Sequence, residues 1–234
     1  MDLAPATLVS VPILAAQFGA AQLKDEEPRI TKSELRQLFL EKRRSLSPRA
    51  VAELSLQIAD RFFSAVDLAT VGSLHTFIRI PKFNEIDTSN IYFRLWRDHP
   101  EIKTFAPRVD LDTGRLKSVE FSAETEFIED KWGIREPLNS KSVDPVEMDM
   151  VLVPLVCFDA AGHRVGYGKG FYDRFLSECR PGCLKVGLSF FPPVARIDDV
   201  HKGDVALDLF VTPERIYRPD LPVGAIDASA TPPS

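Results

Sequence analysis

A nine-residue apolar run, MVLVPLVCF at residues 150–158, decides the fold. A run of this length that is rich in Val and Leu is typical of a central β-strand covered on both faces. Pro154 has no amide hydrogen for the strand ladder, so we expect a bulge or the end of the strand there. A glycine-rich segment, GHRVGYGKGFYD at residues 162–173, follows the run and opens a helical pattern that continues to about Cys179. Strand, loop and helix thus follow one another, as they do where α/β proteins bind ligands.

Strand and helix patterns alternate along the rest of the chain. Thr31 and Glu34 form a capping-box pattern at the start of one helix, and Ser47 precedes Pro48 at the start of another. Further strand patterns occupy residues 71–77, 103–109, 116–121, 184–190 and 209–212. The alternation predicts a single α/β domain with a central, mainly parallel or mixed sheet flanked by helices.

Composition excludes several classes of protein. The chain has 234 residues, 44 % hydrophobic and 27 % charged, as expected for one globular domain. A net charge of −5 argues against nucleic acid as a partner. The apolar stretch at residues 3–23 has no basic flank and is broken by prolines and glutamines, so we expect neither a signal peptide nor a membrane span. Three cysteines without metal-ligand spacing indicate a reducing, cytoplasmic setting.

The glycine-rich segment at residues 162–173 has the composition of a phosphate-binding loop. Its glycines allow backbone amides to converge on one anion, the following helix adds partial positive charge, and Lys169 adds a full one. It is not a Walker loop, because five residues separate Gly162 from Gly168 and Gly170 stands where a hydroxyl is required. From the glycines alone, a flexible surface loop remains the alternative.

The segment GYGKGFYDR at residues 166–174, after LVCFD at residues 155–159, resembles the hallmark of the 5-formyltetrahydrofolate cyclo-ligase family. The similarity continues in a Lys-x-x-x-Arg pattern at residues 32–36, in EIDT at residues 85–88 and in WGI at residues 132–134. It extends from about Thr31 to Tyr217. We therefore expect a cyclo-ligase domain at residues 29–217, a loosely ordered arm at residues 1–28 and a disordered tail at residues 218–234.

The resemblance implies a fold shared with sugar-phosphate isomerases and CoA transferases. It also implies ATP-dependent cyclisation of 5-formyltetrahydrofolate to 5,10-methenyltetrahydrofolate, with a phosphorylated formyl group as intermediate and ADP and phosphate as products. The implied partners are reduced folate and ATP, with Mg²⁺ as cofactor, in a monomer or weak homodimer without nucleic acid or membrane. The alternative is a non-catalytic protein of the same fold that binds folate or nucleotide.

The resemblance assigns the catalytic roles to Lys32, Arg36 and Lys169. Lys32 and Arg36 are four residues apart on a helix and share one face, which can present two positive charges to a polyphosphate. Without the resemblance, a solvated helix face would be the simpler interpretation. The implied ATP-binding residues are Lys32, Ser33, Glu34, Leu35, Arg36, Arg164, Val165, Gly166, Tyr167, Gly168, Lys169, Gly170, Phe171, Tyr172 and Asp173.

The resemblance also implies residues for folate and for magnesium. The implied substrate-binding residues are Ile80, Glu85, Trp132, Gly168, Lys169, Gly170, Phe171 and Tyr172. A carboxylate such as Glu85 can accept two parallel hydrogen bonds from an aminopyrimidine edge, whereas Trp132 could equally be a core residue. Mg²⁺ prefers carboxylate oxygens, and Asp173 and Asp208 are the candidates. Their alternatives are a first-turn helix carboxylate for Asp173 and a strand cap for Asp208. The four histidines have neither metal nor triad spacing, and we assign them no catalytic role.

Overall fold

The computed structural model of the chain describes residues 30–110, 112–129, 135–138 and 141–219. The expected N-terminal arm, nearly all of the expected tail and Trp132 lie outside these residues. The helices are α1 Lys32–Arg44, α2 Pro48–Ala65, α3 Ser89–Asp98 and α4 Phe171–Glu178, with single 3₁₀ turns at Pro81–Phe83 and Pro145–Glu147. None of these helices is both long and apolar enough to cross a membrane.

The described strands alternate with α-helices only at α3 and α4, and the other strands follow one another along the chain. The strands are β1 Ser73–His75, β2 Lys103–Asp110, β3 Arg115–Phe121, β4 Phe127–Glu129, β5 Arg135–Pro137, β6 Ser142–Val143, β7 Met150–Pro154, β8 Cys157–Phe158, β9 Arg164–Val165, β10 Leu184–Leu188, β11 Leu209–Val211 and β12 Ile216–Tyr217. In the described residues, eight of them form one sheet in the order β12-β11-β10-β7-β1-β2-β3-β6. The five central strands, β11 to β2 in that order, are parallel to their neighbours, and the strands at both edges are antiparallel. The prediction of an α/β protein with a mixed sheet is confirmed.

Strand β7 is buried on both faces, as its composition predicts. Met150 and Leu152 belong to the core beneath α2 and α3, whereas Val151 and Val153 belong to the core beneath α4. Successive side chains of a strand point to opposite faces, so one apolar run supplies both layers. All four side chains are fully buried.

Strand β7 ends at Pro154, where the sequence predicts a bulge or a strand end. The chain then leaves the sheet and forms a short antiparallel ribbon in which Cys157 pairs with Val165. The glycines at residues 166–170 follow β9 directly, and α4 returns the chain to β10, the parallel neighbour of β7. The ribbon therefore places the glycines at the carboxyl edge of the parallel strands.

Helix α1 packs on this ribbon. Its capping box is present: the Thr31 hydroxyl accepts a hydrogen bond from the Glu34 amide, and the Glu34 carboxylate accepts one from the Thr31 amide at 2.9 Å. Leu35 and Phe39 are buried in one cluster with Val165 and other residues of the ribbon. Burial of this apolar face holds the adjacent Lys32 and Arg36 beside the glycine loop.

Candidate active site

The loop between β9 and α4 has the backbone conformation that its glycines permit. Gly168 and Gly170 have φ angles of 88° and 65°, in the left-handed region. Gly170 is also the N-cap of α4. Most side chains with a Cβ are strained at such angles, so glycine at these positions favours this path of the loop.

Arg36 of α1 contacts the loop directly. Its Nε donates a hydrogen bond of 2.7 Å to the carbonyl oxygen of Gly166. A Cβ added at Gly168 would lie 3.4 Å from Cζ of Arg36, so the guanidinium lies against the loop backbone. The structure thus brings together two patterns that are separated by 130 positions in the sequence.

A cavity of about 550 Å³ lies between α1, the loop and the segment before β11. Its size is within the range of small-molecule sites. Its lining includes four cationic side chains, Lys32, Arg36, Arg164 and Lys169, and three carboxylates, Asp173, Asp199 and Asp204. The balance leaves a modest excess of positive charge, which suits an anionic ligand.

Two of the four cations are paired. Nζ of Lys32 contacts Asp204, and Nη2 of Arg164 donates to Oδ1 of Asp173 at 2.7 Å. Partial burial acts to raise the pKa of Asp204, but hydrogen bonds from Lys32 and from the amide of His201 outweigh burial and lower this pKa. An ammonium group has three donors, so Lys32 can hold Asp204 and still donate to a phosphate oxygen.

Lys169 differs from the paired cations. Its side chain is exposed at the cavity and forms no hydrogen bond or ion pair with any described residue. Its carbonyl oxygen accepts a bond of 3.3 Å from Arg174, and this contact involves only the backbone. Lys169 is therefore the cation of the cavity with the greatest freedom to contact a ligand.

The two predicted magnesium ligands are not brought together. Asp208 accepts hydrogen bonds from the amide of Lys185 at 2.7 Å and from its Nζ at 3.3 Å, and it is not among the cavity-lining residues. It is the strand cap that the sequence left as the alternative, so Asp208 is removed from the candidate site. Asp173 remains, with Oδ1 accepting hydrogen bonds from Arg164 and from the Val205 amide.

Glu85 lies beside the cavity and is 4 % exposed. Its Oε2 accepts a hydrogen bond of 2.7 Å from the amide of Ile80, and its Oε1 accepts one from the Tyr167 hydroxyl. Burial raises the pKa of Glu85 above its usual range, whereas these two hydrogen bonds and the charge of Arg43 oppose the rise. Burial and the negative charge of Glu85 also raise the pKa of Tyr167, which keeps its hydroxyl protonated as the donor.

Tyr172 is an aromatic residue of the cavity lining, and it connects the cavity to a buried histidine. Its hydroxyl lies 3.5 Å from Nε2 of His75, and Nδ1 of His75 lies 2.7 Å from the Ser118 hydroxyl. Burial lowers the pKa of His75 to about 3, so the ring is neutral at physiological pH. A neutral imidazole has one donor and one acceptor nitrogen, which matches a hydroxyl on each side.

Most predicted ATP-binding residues line the cavity, and three do not. Glu34 is exposed and occupied by the capping box, whereas Leu35 and Val165 are buried in the core beneath α1. Their side chains are removed from the candidate site. Of the predicted folate residues, Ile80 and Glu85 lie behind Tyr167 rather than in the lining.

Sequence reasoning missed four residues at or near the site. Asp199, Asp204 and His201 line the cavity, and Arg43 contacts Tyr167 from behind. Asp204 is close in sequence to Asp208, but spacing could not show which carboxylate faces the cavity. The helical spacing could have singled out Arg43, because it lies four residues after Phe39 and eight after Leu35 on the buried face of α1, whereas the adjacent arginine is exposed.

Fold and cavity together define an α/β protein with a cationic, glycine-lined ligand site at the carboxyl edge of its sheet. Comparison with known proteins makes the assignment specific. The family model described as "5-formyltetrahydrofolate cyclo-ligase family" matches residues 29–202. The chain belongs to this family, as the resemblance at residues 166–174 predicts, and it is a ligase of folate one-carbon metabolism.

Three similar proteins illustrate the relationship. The 5-formyltetrahydrofolate cyclo-ligase of Escherichia coli K12 is 27 % identical over 184 residues, which are 77 % of this chain and 99 % of that protein. The NMR structure of the 5,10-methenyltetrahydrofolate synthetase of Aquifex aeolicus has a TM-score of 0.70 at 27 % identity, covering 82 % of this chain and 94 % of that one. The synthetase of Mycoplasma pneumoniae shares the fold, with a TM-score of 0.64 at 24 % identity, covering 79 % and 99 % of the two chains.

Proposed function

We propose that this chain cyclises 5-formyltetrahydrofolate to 5,10-methenyltetrahydrofolate with consumption of ATP. The observation that carries the proposal is the hydrogen bond between Arg36 and Gly166, which joins the cationic helix and the glycine loop around one cavity. Lys32 and Lys169 line the same cavity from the two sides. Three cations converging on a glycine loop suit a polyphosphate.

The chemistry of the substrate explains why a polyphosphate is needed. A formamide carbonyl is a poor electrophile, and its oxygen is a poor leaving group. Transfer of the γ-phosphoryl group breaks its bond to ADP and forms a bond to the formyl oxygen. Nitrogen 10 of the folate then attacks the formyl carbon, loses its proton, and phosphate departs as the ring closes. The protein's task is alignment and charge neutralisation.

The surroundings of each cation indicate which part of this task it performs. Lys169 is exposed and without a partner among the described residues, so it can follow the transferring phosphoryl group. Arg36 is anchored by its Nε, which leaves its terminal nitrogens to bind a phosphate in a fixed geometry. Lys32 is held by Asp204 and adds a second fixed charge.

A magnesium ion fits this site in one limited way. No cluster of three or more metal-ligating side chains occurs in the part of the chain that the structure describes. A nucleotide-bound Mg²⁺ needs only one or two carboxylates, because phosphates and water complete its shell. Asp173, which lines the cavity beside the glycine loop, would supply that carboxylate. When bound, the ion supplies neutralisation of phosphate charge.

The folate ring is proposed to lie against Phe171 and Tyr172, which line the cavity. Glu85 would accept hydrogen bonds from the aminopyrimidine edge. Its oxygens already accept one bond each, from Ile80 and Tyr167, and because an ionised carboxylate has about four lone-pair sites it can also accept from the ligand while both bonds remain.

The test is incubation of the purified full chain with 5-formyltetrahydrofolate and Mg-ATP. Methenyltetrahydrofolate is followed by its absorbance and ADP by a coupled assay. Equal amounts of the two products are expected, and neither should form when ATP is omitted. Methenyl product formed without ATP, or ADP formed without folate at the same rate, would contradict the proposal.

A further inference from the structure

Arg43 occupies the last turn of α1 and is 5 % exposed. Its Nη2 donates to the Tyr167 hydroxyl, and its Nη1 lies 3.4 Å from the carbonyl oxygen of Leu155. Cζ of the guanidinium lies 5.4 Å from the centre of the Tyr167 ring. Since the same hydroxyl donates to Glu85, Arg43, Tyr167 and Glu85 form a continuous buried chain.

A second contact joins the same two parts of the molecule. Nδ2 of Asn84 donates to the carbonyl oxygens of Arg43 and Leu46, at 3.0 and 3.1 Å. Asn84 directly precedes Glu85 and is in the left-handed conformation, with a φ of 47°. The end of α1 is thus bound both to the side chain of Glu85, through Tyr167, and to the backbone segment that carries it.

Packing does not explain an arginine at this position. Nε of Arg43 is buried and has no hydrogen-bond partner among the described residues. A buried donor without a partner is unfavourable, so an apolar side chain of similar length would serve the core better. What an apolar residue could not supply is a positive charge next to a buried carboxylate.

We propose that Arg43 is a positioning residue for the folate: through the Tyr167 hydroxyl it holds the Glu85 carboxylate ionised and oriented. This inference rests on the proposed function, because it assumes that Glu85 accepts the folate. Since Arg43 and Arg36 belong to one helix, the same contact also links the folate side of the site to its phosphate side.

The inference predicts a specific change in pH dependence. The titratable groups that face Glu85 are Tyr167, Arg43 and Tyr172, and the charge of Glu85 raises the pKa of Tyr172 after burial, the larger cause. The neutral His75 lies behind Tyr172. Of these only Arg43 is positive, and it lowers the pKa of Glu85. Loss of Arg43 therefore raises the pKa of Glu85, and a higher pH is needed before the carboxylate accepts the folate.

The experiment compares Arg43→Met, Arg43→Lys and the matched control Arg44→Met, which changes an exposed arginine on the next position of the same helix. Binding of 5-formyltetrahydrofolate and of Mg-ATP is measured by calorimetry from pH 5.5 to 8.5, together with kcat and KM. We expect Arg43→Met to move the acid limb of folate binding about one pH unit upward, so that binding weakens by up to about tenfold on the acid side of the limb. The affinity of Arg43→Met for Mg-ATP should stay within about twofold of the parental value. Arg43→Lys should return the acid limb of folate binding toward the parental position. Arg44→Met should match the parent in the binding of both ligands.

An unchanged acid limb in folded Arg43→Met, or equal losses for folate and ATP, would overturn the inference. If Arg43→Met does not fold, Tyr167→Phe removes the hydroxyl link but keeps the ring, and an upward shift at least as large is required of it, because the hydroxyl lowers the pKa of Glu85 more than Arg43 does. A parent that binds folate with the predicted pH dependence but does not turn it over would refute the proposed function alone. A parent that binds no folate would refute both.

Discussion

Replacement of Lys169 by alanine tests the phosphate role of the loop most directly. The side chain is exposed at the cavity and has no partner among the described residues, so its loss removes no packing and breaks no ion pair. Such a substitution changes the free energy of unfolding by less than about 0.5 kcal/mol. The variant should melt at the parental temperature.

The rate should fall much further than the stability. Removal of one preorganised donor to a developing charge costs roughly two to three powers of ten, or about 2.7 to 4 kcal/mol of transition-state stabilisation. Lys169 lines the cavity between Gly168 and Gly170, so the loop backbone holds its Cα beside the cavity while its side chain can reach the phosphoryl group. We therefore expect kcat to drop by about this factor, with a smaller effect on KM for the folate.

The assay follows methenyltetrahydrofolate and ADP under saturating folate and Mg-ATP. Lys141→Ala is the matched control, because Lys141 is an exposed lysine outside the cavity lining. Lys169→Arg keeps the charge and should retain more activity than Lys169→Ala. A Lys169→Ala protein that melts like the parent and turns over at the parental rate would refute the phosphate-loop interpretation.

Three further predictions concern the loop, a buried histidine and the N-terminus. Gly168→Ala should raise KM for ATP at least about tenfold, because a φ of 88° strains an L-residue and the new Cβ would face the guanidinium of Arg36. Gly182→Ala is the control: it has open space around it and no positive φ, so KM for ATP should not change. Steady-state kinetics measure both. The pKa of His75 is about 3 in the folded chain and about 6.5 in the unfolded chain, so below pH 6.5 the unfolded chain binds a proton that the folded chain does not bind. The free energy of unfolding should therefore fall below pH 6.5, by about 3 kcal/mol at pH 4. Urea unfolding of His75→Gln should lose that part of the pH slope, and an unaltered slope would contradict the assignment. Removal of residues 1–27 should leave turnover unchanged, since the family match begins at residue 29, and a large loss in the folded truncated chain would show that this segment contributes to the site.

Local signals in the sequence predict the elements well. The capping box of α1 and the strand end at Pro154 are both confirmed, because each depends on a backbone group and a residue beside it. The predictions at residues 103–109 and 116–121 match β2 and β3 to within one residue, but another strand prediction fails at its ends. The pattern at residues 71–77 predicts seven strand residues, but only Ser73–His75 pair, since neighbouring strands set the length of a strand.

Contacts between distant segments account for what the sequence could not predict. The chain from Arg43 through Tyr167 to Glu85 joins residues that are 124 and 82 positions apart. No spacing rule reaches that far. The choice between Asp204 and Asp208 likewise depends on Lys32, which is 172 positions from Asp204.

The long separations at this site have a consequence for biosynthesis. Helix α1 emerges from the ribosome first, but Arg36 meets Gly166 and Lys32 meets Asp204 only after 130 and 172 further residues. At about 5 to 20 residues per second, the interval from Lys32 to Asp204 is roughly 10 to 30 s. The β2–β3 hairpin can form early from local contacts, whereas the ligand site must assemble among the last features. Nascent chains that stop before residue 162 lack the glycine loop and should therefore bind neither ligand, although α1 is already complete in them.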